Sequence, residues 1–270
     1  MKRALNATAR LLRRDFQLVI LNVLGYGILT AAALAWLWIP DSHIWQFGLS
    51  VFSGPAIVLA ALWLLIITMA RWNGENRERP TRLLLHLPGF LVWVLIAFGI
   101  CWLVGMVNDR QYLFAGYLAS RPSQSARYLL TYPRILSAIH IATCMVTYYL
   151  LPVFLLPLAS ETAAFGLKGI HWRRYALVLR SWQLWLVQAG VAVVGVWFPA
   201  LLMEWTPGKR LGTQVLSVGL RLTLAYLLAL GAMLFNIAFV GVLLGSEGRE
   251  DEPPAPQPEP VTPAPLAETS

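Results

Sequence analysis

Apolar residues in this chain come neither every second position nor every third or fourth, but in long runs. Ala56-Ile-Val-Leu-Ala-Ala-Leu-Trp-Leu-Leu-Ile-Ile67 is one such run, and six stretches of this kind are separated by short segments rich in Arg, Trp or Pro. A hydrocarbon layer roughly 30 Å thick needs about 20 helical residues at about 1.5 Å rise each. Six spans meet that requirement, at about 17–39, 49–70, 83–107, 135–158, 177–203 and 220–245. Lipid offers no partner to a bare N–H or C=O, and the strand alternation of a barrel is missing. The expected fold class is therefore all-α, a polytopic transmembrane helical bundle. Pro88, Pro152, Pro157 and Pro199 each remove a backbone hydrogen bond, so the third, fourth and fifth spans are expected to kink or end there.

The pattern changes at Ser246. From there to Ser270 the chain holds seven Pro and six acidic residues against one basic residue. This gives a second region, 246–270, expected to be a disordered cytoplasmic tail after a membrane domain at 1–245. The net charge of +8 divides into +13 for the membrane part and −5 for the tail.

Those cations set the expected orientation. Fourteen Lys and Arg flank one side: Lys2, Arg3, Arg10, Arg13 and Arg14; Arg71, Arg77, Arg79 and Arg82; Lys168, Arg173, Arg174 and Arg180; and Arg249. Six flank the other side, Arg110, Arg121, Arg127, Arg134, Lys209 and Arg210, with Arg221 near or inside the sixth span. Short basic loops stay cytoplasmic, so both termini are expected in the cytoplasm of a cell with a plasma or inner membrane. The segment Asn108–Arg134 is the exception, basic on the outer side, and is either an outer loop or a short interfacial helix. Met1–Phe16, with Leu5, Leu12 and Phe16 near one face, is either a basic helix on the inner leaflet or the start of the first span. Ala33-Leu-Ala35 has the small-x-small form of a signal-peptide cleavage site, but the apolar stretch before it is too long for a usual signal core. Trp36, Trp38, Trp72, Trp172, Trp182 and Trp205 fall near span ends, where an amphipathic ring suits the headgroup region.

Composition narrows the function classes. With 58% hydrophobic and 13% charged residues and a mean hydropathy of +0.62, the chain is too apolar for a soluble domain. Its basic pI of about 9.9 implies anionic lipid headgroups as the partner, not nucleic acid. A protein partner is expected, if at all, through helix faces or the Pro-rich tail.

Candidate chemistry is sparse. The carboxylates before the tail, Asp15, Asp41, Glu75, Glu78, Asp109, Glu161 and Glu204, all fall in loops or at span ends, which argues against proton-coupled transport. His140 and Cys144 lie one helical turn apart, but two ligands make no metal site, and Cys101 and Cys144 sit in different apolar spans. Pro207-Gly-Lys-Arg-Leu-Gly212 lacks the spacing of a phosphate loop. No cofactor is implied. A lipid enzyme would need His86 beside Glu75 or Glu78, or His171 beside Glu161.

Small and polar residues recur at helical spacing instead: Asn22, Gly25, Ala32 and Trp36; Ser53, Ala56 and Ala60; Ser181, Gln188 and Gly195; Ala225, Ala229, Ala232 and Asn236; Gly241 and Gly245. Such faces let helices approach closely and let amides bond across them. The sharper expectation is that Asn22, Gln188 and Asn236 converge on a polar cavity.

Leu156-Pro-Leu-Ala-Ser-Glu161 and Arg173-Arg-Tyr-Ala-Leu-Val-Leu-Arg180-Ser-Trp-Gln-Leu184 resemble the inter-helix region of the six-helix membrane domain of bacterial glycerophosphodiester phosphodiesterases and related small membrane proteins. That resemblance implies a shared membrane scaffold and transfers no active site, because the catalytic domain has no counterpart in the sequence. The expected function is a non-enzymatic membrane scaffold, accessory subunit or envelope-related factor. A small transporter or permease subunit comes second and a membrane-embedded lipid enzyme third.

Overall fold

The computed structural model describes residues 1–39, 43–73, 83–120, 130–204 and 211–250, with backbone only for 211–213 and 246–250. Among these residues every regular element is a helix. Six helical stretches have the length and hydropathy to cross a membrane: Phe16–Leu37, Ile44–Trp72, Leu84–Asp109, Tyr132–Phe165, Trp182–Glu204 and Gln214–Gly245. The chain is thus a multi-pass membrane protein. In order, the helices are α1 (Lys2–Arg14), α2 (Phe16–Leu37), α3 (Ile44–Trp72), α4 (Leu87–Asp109, after a 3-10 turn at Leu84–His86), α5 (Gln111–Ser120), α6 (Tyr132–Met145), α7 (Leu151–Phe165), α8 (Trp172–Arg180), α9 (Trp182–Ala192), α10 (Phe198–Glu204) and α11 (Leu211–Glu250).

The last helix is the axis of the bundle. Leu234, Ile237, Ala238, Phe239, Val240 and Leu244 of α11 are all buried, whereas the other spans keep long apolar faces exposed to the surrounding hydrocarbon. The buried part of α11 is its second half, and the helix packs against α1, α2, α3, α7, α8, α9 and α10, whereas Val215, Leu216, Leu220 and Leu222 of its first half are exposed. It continues to Glu250, past the expected end at 245, and residues 251–270 lie outside the described part.

Two sequence expectations need correcting. The fifth span begins at Trp182 and not 177, because Ser181 has extended backbone (φ −70°, ψ 113°) and separates it from the basic helix α8. The fourth span runs to Phe165, so Glu161 is not beyond its end: it lies inside the helix and is only 1% exposed.

The N-terminal segment is a separate helix whose apolar side is spent on protein contacts. Ala4 and Leu5 pack against the buried cluster that includes Val240, Leu243 and Leu244 of α11, and Thr8 is fully buried, while Lys2, Arg3, Arg10, Arg13 and Arg14 are exposed. Asn108–Arg134 contains the helix α5, with Tyr112, Leu113, Phe114, Tyr117 and Leu118 exposed; residues 121–129 are outside the described part. Of the tryptophans, Trp38, Trp172 and Trp182 are exposed as interfacial rings should be. Trp36 instead donates from Nε1 to the Ser50 carbonyl at 2.9 Å and packs over Gly54, and Trp72 is buried at 2%. Trp205 falls outside the described residues.

The small-residue stripes become seams between spans. A Cβ on Gly25 would meet Leu64 at 2.8 Å, and one on Gly195 would meet the Ala232 methyl at 2.9 Å. The tightest approach is at Gly241, where a Cβ would fall 2.6 Å from the Trp72 carbonyl oxygen, whereas Gly245 has open space. Backbone cannot retreat as a flexible side chain can. We expect Gly241→Ala to push α3 off α11 and lower the melting temperature in detergent by the several degrees that correspond to about 2 kcal/mol, with Gly245→Ala unchanged. Equal melting of the two variants would disprove the close contact.

Candidate functional site

The fourth and fifth spans each carry the same local defect. A π-helical turn at Val146–Leu150 is followed by Pro152, and another at Val193–Trp197 is followed by Pro199. Proline has no N–H for the carbonyl four residues earlier, and its ring presses on that carbonyl. The carbonyls that the prolines leave without a donor are those of Tyr148 and Gly195, and the widened register takes the Leu151 and Phe198 N–H groups from Thr147 and Val194 as well. In both places the helix widens by one residue, shown by the bonds from Leu151 N–H to Val146 and from Phe198 N–H to Val193. Such turns in membrane helices persist where neighbours re-satisfy the displaced backbone.

Both turns face a cavity of about 350 Å³ halfway along the bundle. Its walls come from α3 (Leu65, Met69), α4 (Phe90, Trp93, Ala97), the fourth span (Tyr148, Leu155), the fifth (Gln188, Gly195, Val196) and α11 (Ala232, Met233, Asn236). The lining is overwhelmingly apolar. Trp93 spends its indole N–H on Thr162 Oγ1 at 2.8 Å, and the wall's other polar side chains are the amides of Gln188 and Asn236 and the hydroxyls of Thr147 and Tyr148.

Those two amides form one directed chain. A carbonyl only accepts, so Gln188 turns Nε2 toward the Tyr148 carbonyl, at 3.5 Å, and its Oε1 toward α11. Asn236 consequently presents Nδ2 to Gln188 Oε1, at 2.7 Å. Its own Oδ1 is left buried with no hydrogen-bond partner. Gln188 and Asn236 are 2% and 5% exposed.

Asn22, the third amide singled out by the sequence, is elsewhere. It pairs with Thr68 of α3: its Nδ2 donates to Thr68 Oγ1 at 2.9 Å and to the Leu18 carbonyl at 2.8 Å, and Thr68 lies 3.1 Å from Oδ1. This closed seam joins the first two spans and does not reach the cavity.

Two further hollows adjoin the central one. A groove of about 850 Å³ between the fourth and fifth spans, lined by His140, Met145, Tyr149, Val193, Trp197 and Glu204 among others, shares Tyr148, Ala192 and Val196 with the cavity. A smaller hollow of about 230 Å³ holds Cys101, Asn108, His140 and Cys144, with Cys144 Sγ 3.7 Å from His140 Nε2. Among the described residues no three His, Cys, Asp or Glu side chains form a metal-holding group.

At the opposite end lies a buried polar cluster. Glu161 Oε2 accepts the His171 backbone N–H at 2.8 Å, so the carboxylate sits at the positive end of α8 and fixes it to α7. The His171 ring packs edge-on to Phe165. His86 Nδ1 meets the Ala163 carbonyl at 3.1 Å, with its ring against Gly166, whose φ of +74° ends α7. Asn73 donates to the Ser160 carbonyl at 3.2 Å. Each of these contacts ends or anchors a helix. Glu75 and Glu78 are outside the described residues, as is most of 207–212. Arg221, which the sequence left near or inside the sixth span, is buried in it and donates to the carbonyls of Ser217 and Leu202, at 3.1 and 3.4 Å.

Comparison with family models, curated proteins and solved structures gives no match. The arrangement itself defines the site: an apolar hollow at mid-bundle, walled by two proline-widened helices and marked by one amide pair.

Gln188→Leu would strand both the Tyr148 carbonyl and Asn236 Nδ2. A buried polar group left without a partner costs about 1–3 kcal/mol, and replacing both amides leaves only the Tyr148 carbonyl without its donor. Gln188→Leu alone should therefore lower the melting temperature more than the double variant Gln188→Leu/Asn236→Leu does. Additive losses in a double-mutant cycle would show that the amides are uncoupled.

Proposed function

We propose that this chain is a non-catalytic accessory or envelope-related factor of a bacterial-type plasma membrane, one that holds the apolar part of a lipid-like molecule in the hollow between its spans. The observation that carries the reading is the cavity itself: about 350 Å³, within the range of small-molecule sites, almost wholly apolar and adjacent to a groove between the fourth and fifth spans. Orientation with both termini cytoplasmic goes with it. So does attraction of anionic headgroups to the outward cations of α1 and α8. The likeness of 156–161 and 173–184 to the phosphodiesterase membrane domain fits as a common helical scaffold.

The transporter alternative narrows on the same grounds. A permease for a polar solute wants a wet, polar path, and these walls favour an apolar passenger. The enzyme reading finds little support at His171 and Glu161, which meet through a backbone N–H in a helix-anchoring role.

The test uses purified protein reconstituted with a phospholipid carrying a diazirine in its acyl chain. Labelling should concentrate on peptides around Tyr148 and Val196. Ala97→Phe fills the cavity from α4, and displacing two or three methylenes at about 0.8 kcal/mol each should cut that labelling about tenfold or more. Labelling spread evenly over the outer faces, and indifferent to Ala97→Phe, would overturn the proposal.

A further inference from the structure

We infer that the acidic segment 251–270 folds back onto the exposed basic faces of α1 and α8, where it competes with anionic headgroups for the same cations. The inference is independent of the cavity, and the occupant it assigns to those faces is part of this chain.

Position follows from the packing of α11. One buried cluster takes Val240, Leu243 and Leu244 from α11, with Val178 and Leu179 from α8 and Ala4 and Leu5 from α1. The last helix packs directly against both basic helices. Glu250 lies six helical residues beyond Leu244, a rise of about 9 Å. The segment that follows therefore starts close to both, at the end of the bundle that carries their cations.

Charge supplies the attraction. Lys2, Arg3, Arg10, Arg13 and Arg14 of α1 are exposed, and Arg3, Arg10 and Arg14, spaced seven and four apart, share a face. Among the described residues Arg14 pairs with Asp15 at 3.7 Å, and no carboxylate pairs with the other four. On α8, Arg173 and Arg180 are exposed and seven apart, while Glu161 at its start is buried and taken by the His171 N–H. The segment brings Asp251, Glu252, Glu259 and Glu268 and no basic residue. From Glu252 to Glu259 the chain reaches at most about 25 Å, and α1, of 13 residues, is about 20 Å long, so the acids can meet cations at both of its ends. Tethered to α11, they stay near these cations at an effective concentration on the order of millimolar, and they lose to headgroups as the anionic fraction of the leaflet rises.

The experiment places a photocrosslinking amino acid in place of Ala255 in the otherwise full-length protein, reconstituted one copy to a nanodisc of phosphatidylcholine. Adducts should fall on the peptides of α1 and α8. Raising salt from about 0.1 M to about 1 M shrinks the screening length from about 10 Å to about 3 Å and should cut their yield about fivefold or more. Asp251→Asn, Glu252→Gln and Glu259→Gln together should cut it as far at the lower salt, and so should phosphatidylglycerol added to the disc. Adducts that miss α1 and α8, or a yield indifferent to salt, to the three substitutions or to phosphatidylglycerol, would overturn the assignment. The salt and lipid comparisons keep every acid of the segment, so they decide the matter even if the triply substituted chain is poorly made. None of these readouts involves the cavity, so labelling by the diazirine phospholipid stands or falls separately.

Discussion

Inside a bilayer a peptide group must find its partner within the protein, and this constraint governs the whole molecule. It makes every described element a helix. It also makes each proline in a span a local problem to be solved. Pro88 sits in the first turn of α4, where no bond is lost. Pro152 and Pro199 fall mid-span, and each is absorbed by a five-residue π-helical turn on its N-terminal side. At Tyr148 the displaced carbonyl recruits Gln188, and through it Asn236. Both turns line the hollow at the centre of the bundle, and Gly195 of the second turn packs closely on Ala232 of α11 at its edge.

Much of the fold is legible in the sequence because lipid enforces length and apolarity directly. All six spans are located by hydropathy alone, and their ends move by a few residues where local capping decides. Glu161 illustrates the limit. Read as a charged residue, it marks the end of a span. Its partner is the start of α8 ten residues on, and that pairing lets the fourth helix run past it with the carboxylate buried. The break at Ser181 is likewise invisible to hydropathy, since Trp172–Arg180 and Trp182–Ala192 read as one continuous approach to the membrane.

Of the site, the sequence showed which residues are unusual and not which are neighbours. Asn22, Gln188 and Asn236 stand out equally as amides in hydrocarbon. Only packing assigns Asn22 to Thr68 and joins the other two, because Thr68 is an inconspicuous hydroxyl until α2 and α3 meet at Gly25. One signal was available: the prolines at 152 and 199 each follow a Val-initiated stretch of the same length. The carbonyls they displace, at 148 and 195, can be counted directly from the sequence.

The seating of α1 has a consequence for how the protein is made. Ala4 and Leu5 pack against the cluster that includes Val240, Leu243 and Leu244 of α11, and Tyr226 of the same helix donates to the Val23 carbonyl of α2 at 2.8 Å. A ribosome delivers α1 and α2 long before α11. The amino-terminal helix therefore gains the α11 part of its seat only when the sixth span has been made.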